Sequence, residues 1–574
     1  MEKVAERHAN GNALSYGTSL SRKTWLKAFI CVLLLLVLLQ TPNFVRVLPV
    51  TSPQYASADT AHDWCPLPDV RTPRNDGLKQ SDHFNSPEVR DKQVKRLAAA
   101  VRIPTESFDD NGDVDVDPRW NTFDDFHSIL QELFPLVHSR FEKRTINRYG
   151  LLYTLKGSDG SLKPLLLTAH QDVVPAGLAS SWTYPPFSGY YDGSFVWGRG
   201  STDCKNVLVG LLSAIEDLLE QSFSPRRTIV LAFGFDEETG GTRGAKELGK
   251  ALLDQWGSNS FILVLDEGGM GVQTAGEVLY ALPGVAEKGY HDVQLTLDVT
   301  GGHSSKPPPH TGIGIASAMV VALENSPYVP RLTQTNSFRR VLECKAKYSP
   351  DMMPSWLKDA LRSGEEENIA KRLAEEEGDD RWLMQTSQAV DIISGGIKVN
   401  ALPEQVQVTV NHRIAPHESI EFVNNHMENV LIPLAKHYGM KIIKPGDAYT
   451  SNLTAMGETG TLTIDYPQSL VVAPISPTNN TVWELFGGTL RHVFESTESA
   501  NGRTVVPVGD IMTGNTDTQR YWDLTRNIYR YSPAREGTRL NAHAIDERME
   551  ITSHVEGMRV YYDLIRNFDA WDAE

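Results

Sequence analysis

Cysteine is scarce: 574 residues contain four, Cys31, Cys65, Cys204 and Cys344. That is too few for a disulfide framework in a chain this long, and the absence of any C-x-x-C pair excludes thiolate zinc. Cys65 and Cys344 could pair, but spacing alone does not establish it. Basic charge is in deficit as well. The 55 Lys and Arg stand against 72 Asp and Glu, a formal charge of −17, which argues against nucleic acid as a partner. There is no internal repeat. The one long apolar run, residues 28–39, falls short of the roughly 20 residues that a membrane span takes.

That run is nonetheless extended by Trp25 and Leu26 on one side and by Phe44 and Val45 on the other. Lys3, Arg7, Arg22, Lys23 and Lys27 precede it. Positive charge stays cytosolic, so the pattern predicts a cytosolic tail over 1–27 and a transmembrane signal anchor over 28–45. A cleaved signal peptide is the competing reading. Gln40-Thr41-Pro42 follows the run where a small-x-small cleavage site would be needed. Residues 46–86, rich in Pro, Ser, Thr, Asp and Asn, read as a stalk. Sequons at Asn452 and Asn479 are compatible with glycosylation of a lumenal or extracellular body.

From 87 to 290 strands alternate with helices: strands at 150–156, 164–169, 228–235 and 261–265, helices at 206–221 and 244–256. This is an α/β pattern, a sheet flanked by helices. Near 290 the texture changes. Tyr290–Val299 alternates with period two like a half-buried strand. Helices at 312–325, 355–378 and 417–438 and strands at 387–393 and 405–414 suggest a smaller inserted α+β domain over 291–445. Residues 446–574 would return to the first domain and end in a helix at 547–567.

Chemistry gathers at strand ends. Leu165–Ala169 stops at His170-Gln171-Asp172, and residues i and i+2 of a strand point the same way. Four further segments follow: Ser201-Thr202-Asp203, Asp236-Glu237-Glu238, Asp266-Glu267-Gly268 and Asn541-Ala542-His543. Each has an ordinary structural reading as a turn, helix cap or exposed loop. Five such endings in one α/β unit, with two His and several carboxylates, suit zinc with open coordination better than the all-oxygen shell of calcium. Adjacent Glu237 and Glu238 point in different directions, so one can bind metal while the other serves as general base.

The segments T-A-H-Q-D-V-V-P, W-G-R-G-S-T-D-C-K, F-D-E-E-T-G-G, L-D-E-G-G, G-G-H-S-S, T-G-N-T-D-T-Q-R-Y and N-A-H-A-I-D-E run in the order found in the di-zinc aminoacylase/carboxypeptidase family. The chain resembles that family from about residue 90 to 570. The fungal vacuolar, membrane-anchored carboxypeptidases are the most similar branch, and secreted N-acyl-amino-acid hydrolases are similar too. The resemblance implies a zinc-peptidase catalytic domain with an inserted lid or dimerisation domain, two Zn²⁺ per subunit and a possible homodimer. It implies Asp203 as the bridging carboxylate, His170 and Asp266 completing one metal, and Glu238 and His543 the other. Glu237 would be the general base and Asp172 the partner that orients His170. His303 would help stabilise the oxyanion, and Asn400 and Arg413 would hold the substrate carboxylate. Cys204, beside the bridging Asp, reads as a small buried residue. The stretch 340–385 is longer than in compact bacterial members. The implied activity is hydrolysis of the C-terminal peptide bond of small peptides, in a vacuole or, alternatively, outside the cell. Hydrolysis or synthesis of N-acyl amino acids is the alternative within the enzyme class, and an inactive membrane-anchored binding protein is the rival outside it.

Overall fold

The computed structural model describes residues 64–376, 378–447 and 459–572. The expected cytosolic tail, the anchor at 28–45, residues 46–63 of the stalk and the sequon at Asn452 lie outside the described residues. The rest of the expected stalk is tied to the body, with Arg71 N–H donating to the Gly488 carbonyl and Asp76 accepting from Arg566. Among the described residues no helix is long and apolar enough to cross a membrane.

Leu165–His170 and Ile229–Gly234 are apolar runs buried along their whole length. Such strands belong inside a sheet covered on both faces. They pair in parallel at the middle of an eight-stranded mixed sheet, and Leu263–Asp266 pairs in parallel on the other side of Leu165–His170. Alternate residues serve opposite faces: Leu165 and Leu167 join one apolar cluster, Leu166 another. The helices Lys205–Glu220 and Ile551–Ala570 contribute to the first cluster, and Ala245–Trp256 to the second.

A second sheet orders the strands Ser387–Gly395, Gln405–Ile414, Gly289–Val299, Gly460–Asp465 and Met440–Ile443. Gly289–Val299 alternates buried and half-buried as its period-two pattern predicts. This sheet packs with the helices Gly312–Glu324 and Ile420–His437 around its own core. The expected boundary at 445 needs correction. Gly460–Asp465 pairs with Gly289–Val299, and so does Ser469–Leu470. The inserted sheet therefore runs on to about residue 470 because a central strand needs partners on both sides. One residue, Lys288, separates this sheet from Gly284–Glu287 of the first.

The long stretch within the insertion folds as helices Ser337–Tyr348, Ser355–Ser363 and Glu366–Glu375. The single helix expected over 355–378 is broken at Gly364, which adopts a left-handed φ of 70°. These helices do not join the inserted domain's core. Phe338, Val341, Leu342 and Leu357 pack instead with Tyr280, Leu282, Val506 and Ile511 of the catalytic part. Cys344 also bonds to Cys65, a disulfide that joins the start of the described chain to this unit.

Candidate metal centre

Parallel pairing sets the site. In register, His170 lies opposite Gly234, so the turn Asp236-Glu237-Glu238 leaves the sheet beside His170. Ligands of open α/β sheets gather outside these carboxyl ends. The motif's second glycine, Gly241, has a physical reason: a Cβ there would lie 2.3 Å from Asp517 Oδ1.

Asp172 is fully buried and does more than was expected of it. Its Oδ1 lies 3.4 Å from His170 Nδ1. Its two carboxylate oxygens also accept the backbone N–H groups of Glu237 and Glu238 at 3.0 and 3.1 Å, and Ser107 Oγ donates to it at 2.7 Å. The backbone carbonyl of Asp172 is closer to His170 Nδ1, at 3.0 Å, so this one residue fixes both the imidazole and, through its carboxylate, the Glu-Glu turn.

Asp203 sits between the two histidines. His170 Nε2 lies 3.1 Å from its Oδ1 and His543 Nε2 3.2 Å from its Oδ2. His543 Nε2 is also 3.1 Å from Glu238 Oε2. Donor atoms of three groups come within 4.8 Å of one another and could hold metal: His170 with Asp203 and Cys204, His170 with Glu237 and Glu238, and Asp203 with Glu238 and His543. Glu238 Oε1 is buried with no hydrogen-bond partner, as an oxygen reserved for a cation would be. Cys204 takes the backbone N–H of His170 on its Sγ at 3.2 Å, and burial pushes its thiol pKa up. It behaves as the small buried residue the sequence suggests.

The electrostatics are those of an acid-rich, water-poor centre. Burial opposes charge on Asp203, yet hydrogen bonds from His170 and His543 hold its pKa well below the usual carboxylate range. Hydrogen bonds to Asp203 and Glu238 raise His543 to about 10, so a metal ion and a proton compete for this nitrogen. Burial lifts Glu237 well above the usual range; His170 opposes this, and Glu238, Asp517 and Glu267 add to it. A carboxylate so raised is a competent proton acceptor near neutral pH.

Asp266 ends Leu263–Asp266 and is buried, and its Oδ2 has no hydrogen-bond partner among the described residues. Neither it nor Glu267 belongs to the three groups. Its neighbour Glu267 is raised to about 8 by burial and by the charges of Asp203 and Asp266. Glu267 follows the last strand residue, Asp266, and the chain turns at Gly268, where φ is 107°, so strand alternation sets the direction of Asp266 but not of Glu267. His303 and Asn400 come together on an exposed ribbon, where Gly302–His303 pairs with Ala401–Leu402. Neither belongs to the three groups. Arg413 donates to Asn515 Oδ1 at 2.7 Å and lines a cavity of about 610 Å³. Asn479 is exposed.

Sequence reasoning missed Glu547. Its fully buried carboxylate accepts from Arg199 Nη1, the N–H groups of Gly200, Thr202 and Asp203, and Thr202 Oγ1, at 2.7–3.2 Å. It ties the loop carrying Asp203 to the loop carrying His543. The signal was its place four residues after His543. The His543 loop holds Asn541, His543 and Asp546 in left-handed backbone, with φ of 60°, 58° and 64°, at a cost of order 1–3 kcal/mol each. Asp546 anchors it by accepting the N–H and hydroxyl of Thr183 at 2.7 and 2.8 Å.

Residues 166–567 match the model of peptidase family M20/M25/M40. Carboxypeptidase S of Saccharomyces cerevisiae is 38% identical over 498 residues, covering 85% of this chain and 86% of that protein. The human N-fatty-acyl-amino acid synthase/hydrolase PM20D1 is 30% identical over 500 residues, covering 84% and 89%. Among solved structures, the Sulfolobus solfataricus M20 metallo-carboxypeptidase Sso-CP2 superposes with a TM-score of 0.57 at 15% identity, covering 83% of this chain and 99% of that one. Human carnosine dipeptidase 1 gives 0.58 at 13%, covering 86% and 98%. With the family model spanning most of the chain and the donor groups sitting at the strand ends, this protein belongs to peptidase family M20/M25/M40.

Proposed function

We propose that the chain is a di-zinc carboxypeptidase releasing the C-terminal residue of small peptides. The observation that carries this is Glu237, a partly buried carboxylate of raised pKa within one of three overlapping donor groups. Zinc fits donors of two imidazoles and several carboxylates. We assign Asp203 as the shared ligand, Glu238 and His543 to one ion, and His170 to the other. Asp266, whose Oδ2 is buried without a partner, and its neighbour Glu267 are the two carboxylates open to complete that second ion. The chemistry zinc supplies in such a set is Lewis acidity, which makes a water more acidic. Glu237 takes the proton of the attacking water and delivers it to the leaving nitrogen. Asp172 keeps the His170 imidazole oriented throughout. Arg413 binds the substrate's free carboxylate through its bidentate fork.

Zinc-loaded protein is expected to hydrolyse dipeptides, to lose activity with a chelator, and to regain it with zinc. C-terminal amides should be poor substrates, and equal rates on acids and amides would overturn the carboxypeptidase reading. The similarity to an N-fatty-acyl-amino acid synthase/hydrolase keeps N-acyl amino acids as the second substrate class to assay. For location we favour a vacuolar body anchored through residues 28–45, with secretion or the cell surface as the alternative, and glycosylation at Asn452 and Asn479.

We also infer a homodimer through the inserted domain. Ser387–Gly395 is an edge strand, and Ile392, Ile393, Ile397 and Val399 on and after it are all more than half exposed. An apolar exposed edge of this kind invites a second strand. The ribbon carrying His303 and Asn400 adjoins this segment, so a second copy docked on this edge would lie beside both. Ile393→Lys should shift the sedimenting species from dimer to monomer and cut activity. A wild-type protein that sediments as a monomer while fully active would sink this assignment.

A further inference from the structure

A cavity has Gly269 and Met270, two and three residues after Glu267, in its wall. Its volume of about 610 Å³ lies within the range of roughly 300–1,000 Å³ found for small-molecule sites. It exceeds what a glycine or alanine residue needs. The opposite wall is the helix Ser337–Tyr348, which presents Phe338, Val341 and Lys345. Those spacings of three and four place all three on one helical face. The helix is positioned by the core it shares with the catalytic part and by the Cys65–Cys344 bond.

Three basic residues, Lys288, Lys345 and Arg413, and three acidic ones, Asp379, Asp380 and Asp510, border the cavity. Burial lowers Lys288 to about 7 and raises Asp510 to about 6. Lys288 Nζ is held by the carbonyls of Trp382 and Gln385 at 3.0 and 2.7 Å. Asn515 accepts from Arg413 and donates to the carbonyl of Lys288 at 2.7 Å. One amide group therefore seats the guanidinium of the inserted domain against the catalytic part. Among the described residues no carboxylate pairs with Arg413. Arg413 with an apolar wall beside it matches a molecule bearing a carboxylate and a large apolar group.

We propose that the helix Ser337–Tyr348 forms the specificity wall for the released residue, with its carboxylate on Arg413 and its side chain against Phe338, Val341 and Met270. This rests on the carboxypeptidase reading above and adds to it a preference for large apolar C-terminal residues. The helical insertion is then the element that sets side-chain choice.

The test uses the full-length zinc-loaded protein and two substrate series, Gly-X and N-acetyl-X, with X as Ala, Leu, Phe or Trp. In wild type, kcat/KM should rise by at least about tenfold from Ala to Phe. Val341→Trp narrows the cavity and should lower the Phe-to-Ala ratio of kcat/KM at least about tenfold. Met270→Trp, at a position 55% exposed and so without a packing cost, should lower the same ratio. A wild-type enzyme indifferent to X overturns the specificity wall, and so does a ratio unmoved in both variants. Failure of the carboxypeptidase reading looks different: C-terminal amides would then be cleaved as well as the free acids.

Discussion

Glu237→Gln is expected to leave a folded, metal-loaded protein that turns over substrate about 10²–10⁴-fold more slowly. Glutamine keeps the size and the hydrogen-bonding shape of the side chain and removes its basicity. The turn itself should not move, because Asp172 holds it by the backbone N–H groups of Glu237 and Glu238 rather than by their side chains. Metal analysis beside the kinetics separates the two roles open to this residue. Unchanged metal content with lost turnover identifies the proton carrier. Loss of an ion would instead make Glu237 a ligand, which its presence in a donor group with His170 and Glu238 allows. Full activity in the variant would end the mechanism.

Glu547→Ala should be the most damaging substitution outside the metal ligands. It leaves the buried guanidinium of Arg199 without its partner at 2.7 Å, and the N–H groups of Gly200, Thr202 and Asp203 lose their acceptor. Breaking a buried ion pair from one side costs about 3–5 kcal/mol. Because the freed loop carries Asp203, metal affinity should fall by about 10–100-fold, the range for loss of a group that orients a ligand. Thermal unfolding with and without zinc, together with a metal titration, reads both effects. Glu547→Gln keeps one acceptor oxygen and should recover part of each. A variant as stable and as tightly metal-binding as the wild type would show that Glu547 is a bystander.

The strand ends were legible because their apolar runs are fully buried strands that stop where the chemistry starts. His170, Asp203, Glu238 and His543 come together although they span 373 positions between His170 and His543; parallel pairing sets His170 beside the Glu238 turn, antiparallel pairing of Phe195–Trp197 with Arg548–Glu550 brings the other two loops together, and no local pattern encodes either. The choice between Asp266 and Glu267 was illegible for the opposite reason. Period-two alternation ends with the strand, and direction thereafter depends on backbone angles at Gly268. Glu547 was hidden because all its partners lie more than 340 residues away. The extent of the inserted sheet was misjudged because Gly460–Asp465 is short and follows a stretch without periodicity. The packing of Ser337–Tyr348 was hidden as well, since nothing local in its sequence says that Phe338, Val341 and Leu342 pack on the catalytic part.

The bond between Cys65 and Cys344 also governs what proteolysis can separate. It closes a covalent loop of 279 residues' separation, so a single cut anywhere from 66 to 343 nicks the chain without dividing it. A protease acting on the stretch 66–86 would leave everything before residue 65 still attached to the body. Release of the body as a free molecule therefore requires either a cut ahead of Cys65 or a cut combined with a reductant.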